Sequence, residues 1–388
     1  ILRTYFGGDG KPPPPRAALA LSDPVVGETW LGLLGRSDAA FRGGDYAGAR
    51  DLALQAIEPE PESPLLASAS VLLGLAHAHE GNLPLAAEHF QRAATLTPLE
   101  TLYGSAQDFL ATALRFLPGP TAAPARVFEA PVTPVIAGLQ EFRDPRSFHF
   151  MDGKFWLLDR DQVLVLSPEG RLEEARPARQ VEDIAPDGRG ALVQITRETV
   201  LVQGGRPARL TAAVGGRTRN VSKLQSVAVG ADGDLYLLDE EHGVLRAARK
   251  EDESLAVSSI SPARGRLLRM DARGHLYILS QDRKSVSVMT SSGEALLSVT
   301  PRTAGGKSPS IEHFTLDSLN HVYLLDAEAG TIHIVAVNSA GPGLTASAVD
   351  TIPLEAGEPF KNLRVLAVSA RGELVAAGKG ANTWVWYR

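Results

Sequence analysis

Ala231-Asp232-Gly233-Asp234-Leu235-Tyr236-Leu237-Leu238-Asp239 is a tight turn that runs straight into a strand. Asp-Gly supplies the turn, and the apolar run that follows suits a strand covered on both faces. The same figure returns at Met151–Asp159 (MDGKFWLLD), Ala272–Ser280 (ARGHLYILS) and Ser318–Asp326 (SLNHVYLLD). Weaker copies stand at Pro186-Asp187-Gly188 and Ala370-Arg371-Gly372. The turn residues Gly153, Gly188, Gly233, Gly274, Asn320 and Gly372 lie 35, 45, 41, 46 and 52 residues apart. A period of about 44 residues built from short strands is the signature of a β-propeller, and six copies predict six blades.

The third copy shows the plan of a blade. Gln225–Val229 reads as the inner strand, Asp234–Leu238 as the second, Gly243–Ala248 as the third and Leu255–Ser259 as the fourth. The last blade has only Arg364–Ser369, Glu373–Ala377 and Thr383–Tyr387 before the sequence stops. A ring left open there exposes two unpaired edges. The unassigned strand Phe128–Val132 is therefore expected to supply the missing outer strand and close the ring. Pro131 is tolerable on an outermost strand, which has one unpaired side. The turn, aromatic, aliphatic, Asp pattern resembles the NHL family of propellers. That resemblance implies that Asp159, Asp239 and Asp326 are part of the fold; Ser280 and Gly378 replace the Asp in two blades.

Residues 25–118 read as helices, with apolar positions three and four apart through Thr29–Phe41, Tyr46–Ile57, Pro64–His79, Leu85–Leu96 and Thr101–Phe116. Two hairpins share a spacing. One has Gly44-Asp45-Tyr46, Ala49, Ala53, Ala56 and Pro61; the other has Gly81-Asn82-Leu83, Ala86, Phe90, Ala93 and Pro98. Ala49 and Ala86 are 37 residues apart. This resembles the tetratricopeptide repeat, in which small residues let helices cross closely and an aromatic fills the gap to the next unit. The first copy departs from it, with Arg36 and Ser37 where Leu and Gly are usual. Thr101–Phe116 looks like the capping helix of such an array. The resemblance puts Leu34, Phe41, Val71 and Leu75 on the concave groove, as an apolar docking surface.

The expected organisation is thus multidomain, α plus all-β. An extended proline-rich tail covers 1–24, a helical module 25–118, a linker 119–126 and the propeller 127–388. Residues 1–126 carry 9 basic and 13 acidic groups, and 127–388 carry 30 and 32. Neither part has the charge of a general nucleic-acid binder. No apolar run reaches the ~18–20 residues that span a bilayer. The chain has no cysteine, which removes thiolate catalysis and thiolate metal sites.

No phosphate loop, HExxH or GxSxG is present. The inner-strand starts that line a channel read Pro145-Arg146-Ser147, Val181-Glu182-Asp183, Leu224-Gln225-Ser226, Leu267-Leu268-Arg269, Ile311-Glu312-His313 and Leu363-Arg364. Glu182, Asp183 and Glu312 are the carboxylates placed to meet a cation there. His275 and His321 fall in one repeat position and read as solvent-facing. The connections between blades are basic: Arg143 and Arg146, Arg176 and Arg179, Arg217, Arg219 and Lys223, Arg264 and Arg266, Arg302 and Lys307, and Lys361. Repetition makes these a candidate ring around the channel mouth, fit for an anionic protein segment or glycan. The competing expectation is neutralisation by the acidic turns at Asp159, Asp161, Asp239, Glu240, Glu241, Asp326 and Glu328. The residues point to a non-enzymatic interaction subunit with other protein subunits as partners and no cofactor or metal. The Ile start and proline-rich lead suggest a bacterial envelope or periplasmic setting. The alternatives are a lyase or hydrolase using the channel and a ligand-sensing domain of a signalling protein.

Overall fold

A computed structural model describes residues 30–57, 65–96, 100–101, 104–117, 128, 131–187, 191–202, 205, 207–214, 217–230, 232–249, 255–302, 307–340, 343–355, 357 and 360–387. The proline-rich tail, the linker, Pro61 and Pro98 lie outside the described residues. The helices and the strands form two compact units.

The helices are α1 (Trp30–Arg42), α2 (Tyr46–Ile57), α3 (Leu65–His79), α4 (Leu83–Leu96) and α5 (Ala106–Arg115). The repeated Gly-Asp and Gly-Asn pairs do two jobs at each hairpin. Gly44 and Gly81 both adopt φ +81°, the left-handed conformation that ends a helix. The next residue caps the following helix: Asp45 Oδ1 accepts from Gly48 N at 2.9 Å. Ala49, Ala53 and Ala56 of α2 and Ala86, Phe90 and Ala93 of α4 are buried, as the repeat requires. Gly74 of α3 faces the Phe90 ring so closely that a Cβ there would overlap it. Phe90 in turn stacks on Phe109 of α5, with ring centroids 5.3 Å apart. Ser37, where the repeat usually has Gly, is buried and donates to Ala49 O at 2.6 Å, so its hydroxyl is satisfied inside the crossing.

Leu34, Phe41, Val71 and Leu75 do not line a groove. All four are 2% exposed or less. Phe41 packs against Tyr46 at 5.5 Å and His79 at 5.1 Å. The alanine-lined helices approach closely enough that these large side chains fill the space between them, and every residue from Leu66 to His79 is buried. His77 and His79 face apart, as two residues apart on a helix must: His77 stacks on His89 at 5.3 Å, whereas His79 joins the Phe41 cluster.

The strands form six blades around one axis. Blade 1 is Pro145–Met151, Lys154–Asp159, Gln162–Leu166 and Leu172–Pro177. Blade 2 is Asp183–Pro186, Leu192–Ile195, Thr199–Val202 and Ala208–Arg209. Blade 3 is Leu224–Val229, Leu235–Asp239, Gly243–Arg249 and Leu255–Ser261. Blade 4 is Gly265–Met270, Leu276–Ser280, Val286–Met289 and Ala295–Val299, and blade 5 is Ile311–Leu316, His321–Asp326, Thr331–Ala340 and Gly343–Pro353. Blade 6 contributes Leu363–Val368, Leu374–Gly378 and Trp384–Tyr387. All these pairings are antiparallel neighbours in chain order.

The missing fourth strand of blade 6 does come from the residues before blade 1. Val132 and Trp386 exchange both backbone hydrogen bonds, at 2.9 and 2.8 Å, and Ile136 N donates to Asn382 O at 2.8 Å. The described part of the seam runs from Val132 to Ile136; Glu129 and Ala130 of the expected Phe128–Val132 strand lie outside the described residues. Proline explains the broken ladder. In this register Pro134 falls opposite Trp384, where the pattern calls for an N–H that proline lacks, so the pairing appears as isolated bridges at Val132 and Val135. Phe128 anchors the segment instead with its side chain. It is 5% exposed and meets the Tyr323 and Tyr387 rings edge-on, each at 6.2 Å.

Asp159, Asp239 and Asp326 are buried and hold the loops, as the NHL resemblance implies. Each accepts a backbone N–H from a residue 16 positions upstream: Arg143, Lys223 and Ser310. In blade 4, where Ser280 replaces the Asp, Gln281 Nε2 reaches Gly265 O at 2.8 Å, again across 16 positions. His275 and His321 are not solvent-facing. Each sits beside the carboxylate that ends its blade's inner strand, His275 with Asp271 at 3.2 Å and His321 with Asp317 at 2.8 Å. Tyr277 and Tyr323 donate to the same two carboxylates, so an Asp-His-Tyr triad fixes this turn in both blades.

Replacing Phe128 with Ala should lower the stability of the strand-rich unit by about 3–5 kcal/mol, because it removes the anchor of the closing segment. Urea unfolding followed by tryptophan fluorescence checks this, since Trp384 and Trp386 lie at the seam.

Candidate functional site

Each inner strand presents one residue at the same register position. It pairs with the residue just before the end of the second strand, or in blade 2 with its last residue: Ser147 with Leu158, Asp183 with Ile195, Ser226 with Leu238, Leu267 with Leu279, His313 with Leu325 and Val365 with Ala377. In all blades but the second, a register shift immediately precedes this residue. Such bulges re-aim side chains. Here they turn the position toward the neighbouring blade.

Four of these residues are polar, and each reaches the backbone of the next blade. Ser147 Oγ lies 3.4 Å from Ile184 O, and Asp183 Oδ2 accepts from Val227 N at 3.1 Å. Ser226 Oγ accepts from Leu268 N at 2.9 Å, and His313 Nδ1 accepts from Leu366 N at 3.2 Å. Ile184, Val227, Leu268 and Leu366 each directly follow their own blade's register residue. The contact is thus one device repeated around the axis. Ser226 also donates to Asp183 at 2.5 Å, linking two of these contacts.

Arg269, two residues further along blade 4, completes the arrangement. It is 7% exposed. Nη1 donates to Asp183 Oδ2 at 3.2 Å and to Leu268 O at 2.8 Å, and Nη2 donates to Ser147 Oγ at 3.2 Å. In a ring of six, blade 4 stands opposite blade 1, so the guanidinium crosses the axis. The equivalent positions of three other blades are Ala185, Ala228 and Ala367, all buried, which leave room for the long side chain. In blade 1 the position is His149, whose Nε2 lies 3.1 Å from Ser147 Oγ.

Burial, and then the Arg269 guanidinium, push His149 down to about 3 from its ordinary value. His313 is lowered well below its ordinary value by burial, by Arg269 and by His149. Both are therefore neutral imidazoles at pH 7.

This geometry changes the reading of Glu182, Asp183 and Glu312 as partners for a cation. Asp183 already holds the chain's own cation, Arg269. Glu312 lies 2.5 Å from Arg283 and 3.5 Å from Arg364. Among the described residues no group of three or more His, Asp or Glu is placed to hold a metal ion. The sequence reading named the right stretches but missed Arg269 as the organising residue. The available signal was an arginine at an inner-strand position whose counterparts in three blades are alanine.

The expected basic ring breaks into separate parts. Arg217 and Arg219 lie on a hairpin, Thr211–Val214 with Arg217–Asn220, that adds to the outer edge of blade 3 through a parallel pairing with Leu255–Ser261. Their strand is the outermost of six, five strands away from the inner one. At about 4.8 Å per strand that is some 24 Å from the channel. Arg146 pairs with Asp144 at 2.9 Å, and Lys223 with Glu241 at 2.8 Å. Arg264 reaches Glu241 O at 3.5 Å. Arg176 binds Glu174 and lies over the Trp156 ring, 4.8 Å from its centroid. Neutralisation by an acidic turn thus holds for Lys223, whereas Arg146 is paired within its own connection by Asp144. Arg179, Arg266 and Arg302 are exposed and carry no hydrogen bond or ion pair to a described residue. The side chain of Lys361 lies outside the description.

Arg302 and Lys307 line a cavity of about 560 Å³ on blade 5, with Ser308, Ser310, Glu328 and Thr351. His333 forms part of its wall, 3.2 Å from Thr331 Oγ1 and 3.4 Å from Thr351 Oγ1.

Comparison with known proteins bears on the two units unequally. Residues 34–100 match the tetratricopeptide repeat family. No curated protein matches the chain. Among solved structures, a Bacteroides thetaiotaomicron protein of unknown function is 17% identical with a TM-score of 0.47, covering 67% of this chain and 72% of that one. A streptogramin B lyase is 9% identical with a TM-score of 0.46, covering 68% and 99%. A Staphylococcus aureus virginiamycin B lyase is 9% identical with a TM-score of 0.43, covering 66% and 98%. The chain therefore combines tetratricopeptide-like helices with a six-bladed propeller.

Two predictions test the axial network. Arg269→Met and Asp183→Asn should each cost about 3–5 kcal/mol, because each leaves a buried partner unmatched. The double variant should cost clearly less than the sum, as measured by a double-mutant cycle in urea.

The second concerns pH. The native histidines bind protons more weakly than the unfolded chain does, so the stability they allow is complete above about pH 6.5 and falls as pH drops toward their native values. Each histidine contributes a slope of up to about 1.4 kcal/mol per pH unit below 6.5. Thermal melts from pH 7.5 to 4.5 should show this loss, and His149→Gln should make it shallower. An identical slope in the variant would remove His149 from the account.

Proposed function

We propose that this protein is a non-enzymatic interaction subunit, in which the helical repeats and the propeller present binding surfaces to other proteins. One observation carries the reading. The channel positions where a propeller enzyme would hold a metal or a base are committed to one another: Asp183 to Arg269 and Ser226, Ser147 to Arg269, and His313 to the blade 6 backbone. Side chains that brace a ring from blade to blade are not free to move through a reaction. The helical unit supports the same role, since tetratricopeptide-like hairpins act by presenting surfaces for recognition.

The surface we assign to partner binding is the blade 5 cavity. Arg302 is exposed there and has no hydrogen bond or ion pair to a described residue, Lys307 stands on the same wall, hydroxyl groups lie beside both, and the carboxylates lining the cavity are the exposed Glu328 and the buried Asp326, which already accepts Ser310 N. Two cations beside hydrogen-bonding hydroxyls suit a carboxylate-bearing protein segment. Of the wider ring that the sequence suggested, Arg146 and Lys223 are paired, Arg217 and Arg219 lie on an outer edge, and Arg179 and Arg266 remain exposed; Arg302 and Lys307 are the members that line this cavity.

The test begins with affinity purification of the full chain from its source, followed by reconstitution with each stable partner. Arg302→Glu with Lys307→Glu should weaken binding at least tenfold at low salt, and the loss should shrink as salt rises. Unchanged affinity would exclude this surface. A calcium- or magnesium-dependent rise in melting temperature, reversed by chelation and lost in Asp183→Asn, would overturn the non-enzymatic reading.

A further inference from the structure

The outer edges of the blades are protected in different ways, and blade 5 is the exception. The outer strand of blade 1 carries Glu173, Glu174 and Arg176 and ends at Pro177. That of blade 2 is a short piece, Ala208–Arg209. The hairpin bearing Arg217 and Arg219 covers the edge of blade 3. The outer strand of blade 4, Ala295–Val299, has 5 residues, and the closing segment pairs with blade 6. Short, charged or covered edges are how sheets avoid joining other strands. In blade 5 the outer strand, Gly343–Pro353, has 11 residues, no Lys or Arg, and a single carboxylate, Asp350. None of its residues is buried, and Thr345–Val349 are all exposed. Among the described residues no strand pairs with its outer side.

The backbone of this strand turns donors outward beside the blade 5 cavity. Leu354 N–H points inward and donates to Gly330 O at 2.8 Å. Donors alternate along an antiparallel strand, so Thr351 and Val349 turn theirs away from Thr331–Ala340. The Thr351 N–H agrees with this: it donates to Asp350 Oδ1 at 2.7 Å, a side chain of its own strand. Thr351 also lines the cavity that contains Arg302 and Lys307. The open edge therefore runs into the cavity wall.

We propose that blade 5 takes up an extended segment of a partner protein as a fifth strand, paired with Ala346–Thr351, with an acidic residue of that segment reaching Arg302. The acidic residue rests on the partner-binding role assigned to the cavity; the added strand rests on the edge itself. A second copy of this chain suits the site less well. A symmetric ladder between two identical edges is antiparallel. The carboxylate that such a copy brings on this strand is Asp350, and to stand beside the opposing Thr351 it must lie next to the opposing Asp350. Like charges facing each other across a strand pair are destabilising. A different chain, with Asp or Glu at one end of a neutral β-branched stretch, meets both requirements. Main-chain pairing then supplies affinity, and alternate side chains supply selection.

The test uses the full chain and a phage-displayed library of random peptides about ten residues long, with enriched sequences resynthesised and their affinities measured. Those sequences should be rich in Val, Ile and Thr with Asp or Glu near one end. The tightest peptide should slow hydrogen exchange at the Val349 and Thr351 amides. Val349→Pro removes an outward N–H from an edge strand, where proline is tolerated, and should weaken binding by roughly tenfold or more. Val349→Thr keeps the N–H and should bind within about twofold of the unsubstituted chain. If Val349→Pro does not fold, exchange protection in the unsubstituted chain still decides. Arg302→Glu separates the two readings. A loss with Arg302→Glu and none with Val349→Pro would overturn the added strand and leave the cavity reading standing. A loss with Val349→Pro alone would support the strand and overturn the cavity reading. Enriched peptides that leave both amides unprotected, or a dimer of the chain that Val349→Pro dissociates in sedimentation, would overturn the proposal.

Discussion

The ring depends on a problem that no single blade solves. The backbone ladders end at the edges of each sheet, and the backbone bonds that cross between blades, such as Leu224 N to Arg197 O and Ile311 N to Arg283 O, are isolated, so most blade-to-blade cohesion comes from side chains. Most of it is apolar. One continuous core joins Phe148, Phe155, Leu157 and Leu164 of blade 1 to Val365, Val375, Trp384 and Trp386 of blade 6, and another joins blades 2 and 3. Apolar packing is strong but weakly directional. Direction is supplied near the axis, where four register residues each grip the backbone of the next inner strand. Arg269 then ties blade 4 to blades 1 and 2. A buried ion pair is a poor source of net stability compared with well-packed apolar groups. Its value here is positional: with three partners on three blades, the guanidinium is satisfied in one arrangement of the ring only.

Closure follows the same logic at the rim. The seam has few backbone bonds because proline interrupts it, yet it joins segments of the sequence more than 250 residues apart. Bringing such distant segments together has a loop-closure cost that grows only slowly with length. A short ladder therefore suffices when a large aromatic group accompanies it. Phe128 between Tyr323 and Tyr387 supplies that group, and the tryptophans of the last strand cover the other side.

Much of this was legible in the sequence, for identifiable reasons. Turn glycines report backbone conformation directly, so Gly153, Gly233 and Gly274, all at positive φ in the structure, marked blade positions. Gly44-Asp45 and Gly81-Asn82 marked helix ends for the same reason. Incomplete blades are also visible, since an unpaired edge must be covered by something. What was not legible is the direction of side chains on strands whose register includes a bulge. One extra residue reverses which side chains face the axis. The bulges before Ser226 and His313 therefore concealed the contacts that those residues make. Equally hidden was the strand pair at Thr211–Val214 and Arg217–Asn220. It has the composition of a charged loop, and only its pairing with the outer strand of blade 3 moves its arginines away from the channel.

Leu34, Phe41, Val71 and Leu75 raise a related point about repeats. A motif fixes which residues are small, and thereby how closely helices pack. It does not fix what the large residues face, because that depends on how many neighbours the array has and how tightly they close. With alanine at Ala49, Ala53, Ala86 and Ala93, the crossings are tight enough that Phe41 reaches Tyr46 and His79 rather than an open surface. Charge behaves in the opposite way. Arg146 and Lys223 are long, flexible and near acidic turns, so each finds a local partner and loses its value as a binding group. Arg302 has none among the described residues, and it borders a cavity. The residues left for recognition are thus those that neither packing nor pairing has already satisfied.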